Sequence, residues 1–223
     1  MRNHVQLSES IPVISLLAVT GGFLESYSFI CRDQVFANCQ TGNLVLLAMY
    51  FSQRDFFQAF TYTIPVIAFI IGILLTNFIR DTISQKFLHW RQITVCLEII
   101  LMLLVGFIPC GPRNIVATTM IAFSCSIQVE TFRKVKGTGC ATTMCTGNLR
   151  SAVDFLYRFF IRKEKSALYQ SSRFLTIIAM FLGGAIAGGF CTNFFSYRAV
   201  WFTLIMLVIV FCLMFSRPDG EAH

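Results

Sequence analysis

The amino-acid sequence predicts an all-α membrane protein of two inverted repeats, each with three transmembrane helices and one re-entrant or broken segment carrying Thr-Gly-Asn. Three observations predict it. Of the 223 residues, 56% are apolar and 13% charged, and the mean hydropathy is +0.69, whereas an average soluble domain carries about 25% charged residues. The tripeptide Thr41-Gly42-Asn43, set in VFANCQTGNLVLLAMYF, is written again as Thr146-Gly147-Asn148 in ATTMCTGNLRSAVDF. Finally, the lysines and arginines fall mainly on one side of the membrane only if these two segments do not cross it.

The duplication runs beyond the tripeptide. The offset of 105 residues that lays Asn43 on Asn148 also lays Glu25 on Glu130. Thr76-Asn77-Phe78 corresponds to Thr192-Asn193-Phe194 at an offset of 116, and Arg91 to Arg198 at 107. Order is kept while the offsets drift with loop insertions, so the chain reads as repeats 1–108 and 109–223 within one membrane domain. A period this long indicates a duplicated domain and not a solenoid.

Six apolar runs are the predicted crossings: 11–30, 56–79, 93–108, 115–131, 174–195 and 199–215. A crossing takes roughly 17–25 residues. The first run reads as retained and not as a signal peptide, because Arg2 is opposed by Glu9 and the run's repeat partner lies mid-chain. After Gly42 and Asn43 the apolar run is LVLLAMYF; as helix it rises about 12 Å, under half the membrane. Segment 138–160 carries Arg150, Asp154 and Arg158 at i, i+4 spacing opposite Val153, Leu156 and Phe160, which is an amphipathic, interfacial pattern. In 174–195, Gly183, Gly184, Gly188 and Gly189 form a small-residue face, matched by Ala68 and Gly72 in 56–79, and such faces let helices approach closely.

With both Thr-Gly-Asn segments re-entering and a cytoplasmic N-terminus, thirteen basic residues fall inside and four outside (Arg32, Arg54, Arg113, Arg198), with Arg150 inside its own segment. If both segments crossed, the count would be nine against eight. The positive-inside rule selects the first arrangement. Three crossings per repeat is an odd number, so the copies sit upside down relative to each other, as in many secondary transporters. The net charge of +7 is a topology signal in short loops and does not point to nucleic acid. Nine scattered cysteines and three distant histidines (His4, His89, His223) suggest neither a zinc site nor a disulfide framework. No cofactor or metal box and no nucleophile triad is recognisable, so the chain is not read as an enzyme.

The glycines Gly42 and Gly147 are expected to break the helix, leaving free N–H groups that attract an anion or a polar solute. Thr41, Asn43, Thr146 and Asn148 sit beside these breaks, and Asn38, Gln40, Thr142 and Thr143 precede them. The alternative is a self-satisfied turn or cap that serves packing. Glu25 and Glu130 are a candidate proton- or cation-linked pair, because a carboxylate in hydrocarbon costs about 2.5–3.5 kcal/mol on insertion scales. Against this, Arg133 and Lys134 follow Glu130 at salt-bridge spacing. Glu98 is also intramembrane but aligns with Ile205.

The stretches GGFLESYSFICRDQVFANCQTGNLVLLA and QVETFRKVKGTGCATTMCTGNLR resemble the YoaK family of small bacterial membrane proteins, functionally uncharacterised, over nearly the whole chain. The resemblance implies a bacterial inner-membrane protein with about six crossings, and no substrate. The expectation is therefore a multi-pass inner-membrane transporter or channel for a small polar or anionic solute, with cytoplasmic termini and a homodimer through the glycine face. The competing reading is a non-transporting scaffold or regulatory subunit; a lipid-directed membrane enzyme is a third class, without a nucleophile to carry it.

Overall fold

The computed structural model describes residues 10–82, 90–135 and 138–216. The predicted cytoplasmic termini lie outside the described residues, as do Arg2, Lys86, Lys136 and Arg217 of the charge count. Among the described residues the chain is almost entirely helical: α1 Ile11–Cys31, α2 Gln40–Ser52, α3 Phe56–Thr82, α4 Trp90–Val105, α5 Asn114–Thr131, α6 Cys145–Arg162, α7 Lys165–Phe195 and α8 Trp201–Ser216. A 3-10 turn, Ser196–Val200, joins α7 to α8. Two short strands, β1 Lys134–Val135 and β2 Thr138–Gly139, form an antiparallel pair between α5 and α6 that hydropathy does not signal.

By length and composition, Ile11–Cys31, Phe56–Thr82 and the stretch Lys165–Met214, which holds α7 and most of α8, are apolar enough to cross a membrane. Large apolar side chains face outward along α3 (Ile67, Ile70, Ile71, Leu74, Phe78) and α7 (Leu182, Ile186, Phe190, Phe194). An aqueous surface does not tolerate so much contiguous apolar area, and lipid does. α7 starts at Lys165 and not at 174, because its first turns are polar yet engaged: the Ser171 hydroxyl donates to the Ala152 carbonyl of α6 at 2.8 Å.

Helix partners come largely from the other half of the chain. α1 packs on α7 and α3 on α5, while α2 lies on α3 and α6 on α7; α4 packs on α5 and α8, and α8 also on α1. Backbone-to-backbone approach makes the first two crossings possible. A Cβ at Gly22 would collide with the Phe181 carbonyl, one at Gly184 with that of Val19, and one at Gly72 with Ser126 and Phe123. Gly184 and Gly188 are thus used inside the chain against α1, and of the predicted glycine face only Gly183 and Gly189 open outward. Thr76 and Thr192 donate to the carbonyls of Gly72 and Gly188 at 2.8 and 2.7 Å, the same back-bond on α3 and on α7.

Arg32 ties one end of the bundle together. It is fully buried, and its guanidinium donates to the carbonyls of Val105, Ile108 and Pro109, to Asn114 Oδ1 and to the Tyr27 hydroxyl. The Val105 carbonyl ends α4 and those of Ile108 and Pro109 follow it, so the guanidinium is a cation seated at the negative end of the helix dipole. Tyr27 in turn donates to the Tyr197 carbonyl at 2.8 Å. The C-terminal ends of α1, α4 and α7 therefore meet the N-terminal end of α5 at one end of the molecule. At the opposite end, Gln92 Nε2 lies 3.4 Å from the Met214 carbonyl, and Arg80 Nη1 3.2 Å from Glu130 Oε1.

Candidate functional site

Both Thr-Gly-Asn segments are built around the asparagine. Asn43 Oδ1 accepts from the Phe36 N–H at 3.0 Å, and its Nδ2 donates to the Phe36 carbonyl and to Gln40 Oε1, both at 2.9 Å. Asn148 repeats the arrangement on Ala141, accepting at 3.2 Å and donating at 2.6 Å. Each asparagine is buried and acts like a strand edge for the backbone seven residues earlier. The helices start at Gln40 and Cys145, so Gly42 and Gly147 lie inside the first turns and not at the breaks. The breaks fall at 32–39 and, among the described residues, at 132–135 and 138–144, where the chain is turn or irregular backbone apart from the β1–β2 pair. At Gly42 a side chain would strike the Phe36 ring, whereas Gly147 faces open space. Thr41 and Thr146 are exposed.

An acid from the chain itself holds the two residues that lead into α2: Glu25 accepts from the backbone N–H of Asn38 at 2.7 Å and of Cys39 at 3.3 Å. Within the first turn, the N–H groups of Gln40 and Gly42 bond to the carbonyls of Asn38 and Cys39, both at 2.9 Å. Gln40 Nε2 donates to the Ala37 carbonyl at 3.2 Å. Glu130 does something else: it pairs with Arg80 and with Arg133, at 3.2 and 3.3 Å. The two carboxyls that align in sequence are not brought together and do not hold equivalent partners.

What the fold does bring together are the tips of the two interrupted segments. Asn38 Nδ2 donates to the Gly21 carbonyl at 2.9 Å. Thr143, which stands at the 105-residue offset from Asn38, packs on the same glycine: a Cβ there would lie 3.0 Å from Thr143 Cγ2 and 3.3 Å from the Thr142 carbonyl. Gly21 is the middle residue of α1. Gln128 of α5 fastens the second tip, donating to Thr142 Oγ1 and to the Leu17 carbonyl, both at 3.0 Å. Asn38 Oδ1 and Thr143 Oγ1 are nevertheless buried without a hydrogen-bond partner. Gln128 was not singled out from the sequence; its signal is the one carboxamide within the predicted crossing 115–131.

Among the described residues, three cavities bear on the two ends, one of them, of about 520 Å³, beside Cys31, Cys110 and Asn114. A second, of about 750 Å³, is lined by Arg133, Asn148, Arg150, Ser151, Asp154 and Arg158, with an Arg158–Asp154 pair at 2.9 Å. Another, of about 460 Å³, is lined by Asp33, Gln34, Tyr50, Gln58, Thr61 and Tyr62 among others. Among the described residues no three His, Cys, Asp or Glu side chains gather as metal ligands.

Three comparisons bear on this arrangement. The sequence profile of the family described as "Protein of unknown function (DUF1275)" matches residues 13–213. The chain is similar to the UPF0700 transmembrane protein YoaK of Bacillus subtilis (strain 168), with 24% identity over 218 residues that cover 94% of this chain and 96% of the relative. No solved structure matches.

Proposed function

We propose that this chain, which belongs to the DUF1275 family and is a membrane protein, is a small transporter or channel for a small polar solute, with no catalytic role. The observation that carries the reading is the meeting of Asn38 and Thr143 at Gly21, with Asn38 Oδ1 and Thr143 Oγ1 both buried and unpartnered. A buried polar group left unpaired costs about 1–3 kcal/mol. Two of them at the centre of a bundle are economical when a passing solute supplies the missing donors. Irregular backbone at membrane depth is itself tolerated only where protein or a wet cavity satisfies it.

The inverted, re-entrant topology belongs to this proposal. Asp33 and Tyr50, at the two ends of the first segment, line one cavity, and Arg133 and Arg158, at the two ends of the second, line another. That supports segments which dip in and return to the side they came from, and two repeats related by a two-fold axis in the membrane plane. The positive-inside rule then puts the arginine-lined cavity and both termini in the cytoplasm of a bacterial cell, with the chain in the inner membrane. Since Glu25 already holds the N-terminus of α2, an anionic solute has its better seat among Arg133, Arg150 and Arg158. A homodimer would use the outward Gly183 and Gly189.

A second reading, the non-transporting scaffold or regulatory subunit, is favoured by the Asn43 and Asn148 brackets, which satisfy the Thr-Gly-Asn segments from within. Osmotic swelling of vesicles containing the purified protein, screened over small polar solutes, separates the two. The transport reading expects a permeant solute whose flux Thr143→Val cuts about tenfold, the effect of some 1.4 kcal/mol, without lowering the melting temperature. Protein-containing vesicles that match empty ones for every solute support the scaffold.

A further inference from the structure

On the transport reading, on which this step rests, we propose that the carboxyl of Glu98, buried inside the helix bundle without a hydrogen-bond partner, is the site that takes up and releases a coupling proton. Glu98 is 1% exposed, and its Oε1 has no partner. Among the described residues it joins no ion pair. An acid kept for structure in a dry interior is ordinarily bonded; one left bare inside a membrane protein marks a functional position.

The surroundings fit a proton better than a metal ion. Gln92 set against Met214, and Trp201 against Leu103, fix a register that brings the apolar Leu207 of α8 opposite Glu98. One turn towards the Arg80 end, Thr131 donates to Thr94 at 3.1 Å, so those hydroxyls are already engaged. α5 carries the buried Cys125 and, in its last turn, Glu130, which is engaged by Arg80 and Arg133. The exposed Cys212 is the titratable group of α8. The remaining charges on neighbouring elements, Arg80 and Asp81 of α3 and Arg198 of the 3-10 turn, lie in terminal turns or connections, and Arg80 is engaged by Glu130. None of these groups pairs with Glu98 among the described residues. At the 107-residue offset the position is Ile205, so the helix position itself does not call for an acid.

Carbodiimide labelling of the full chain in lipid vesicles tests this without any solute. The protonated carboxyl adds across the C=N bond, its proton going to nitrogen and its oxygen to carbon, and the adduct is read by mass spectrometry on the Glu98 peptide. We expect an adduct at acid pH that falls about tenfold per pH unit once the group has titrated. Glu98→Gln, a neutral isostere, is expected to give none while melting like the wild type. An unlabelled Glu98 peptide, labelling independent of pH, or protection by sodium at fixed pH would each overturn the proton site. Unlabelled Glu98 in a protein that moves solute defeats this inference alone. Labelled Glu98 in a protein that moves none defeats the transport reading and with it the coupling role, leaving Glu98 a proton site only.

Discussion

The Asn43 side chain closes both hydrogen bonds of Phe36, accepting from its N–H at 3.0 Å and donating to its carbonyl at 2.9 Å, and Asn148 does the same for Ala141. The most conspicuous repeated motif of the sequence is therefore a fastening for the interrupted segments, and the unpartnered oxygens sit on Asn38 and Thr143 at their tips.

Asn43→Ala and Asn148→Ala each strand a backbone N–H and a carbonyl in a buried setting, which costs about 1–3 kcal/mol per unpaired group. We expect both variants to melt well below the wild type in detergent. Thr143→Val, which removes a hydroxyl that has no partner, should melt at or above it. An Asn43→Ala protein as stable as wild type would show that the bracket contributes little.

Arg32 takes the carbonyls of Val105, Ile108 and Pro109 together with Tyr27 and Asn114. A lysine ammonium is compact and has three donors, so it cannot span that set. Arg32→Lys should lose stability by several kcal/mol, since one broken buried charge network typically costs about 3–5 kcal/mol. Yield of folded protein on size-exclusion chromatography is the readout, and an unchanged profile would refute the staple.

Glycine substitutions separate inner from outer faces of α7. Gly184→Val drives a side chain into the Val19 carbonyl and should prevent folding, whereas Gly183→Val meets nothing within the chain. If copies of the chain associate through the outward glycines, Gly183→Val should also convert dimer to monomer in sedimentation. A fully folded Gly184→Val would overturn the α1–α7 crossing.

Sequence alone made the membrane class legible, because apolar runs of crossing length leave no other solvent for their side chains, and helix ends fall near those runs except at α7, which begins nine residues early at Lys165. The correspondence of positions 105 residues apart is carried into the geometry of Asn43 and Asn148 and of Asn38 and Thr143. The fate of Glu130 was legible in part, since its pairing with Arg133 stood at i, i+3 spacing, but Arg80 lies fifty residues back, across two connections; the fate of Glu25 was not, because it faces a backbone turn thirteen residues on. Arg32 read as a loop charge because its partners are carbonyls, which no sequence pattern displays. The glycine breaks were misplaced for a related reason. Helix starts are set by Glu25 and the asparagine brackets, so the glycines could enter the first turn.

The most direct test of the inverted, re-entrant arrangement is sidedness of single cysteines in an otherwise cysteine-free chain, probed on intact cells with a membrane-impermeant thiol reagent. Cys110, native and exposed between α4 and α5, is compared with Asp81→Cys at the exposed end of α3, and Glu164→Cys serves as the cytoplasmic control. The account predicts that Cys110 labels from outside while positions 81 and 164 stay protected until the membrane is opened. Labelling at 81 with protection at 110 would mean that α2 and α6 span the membrane and the repeats are parallel, which contradicts it.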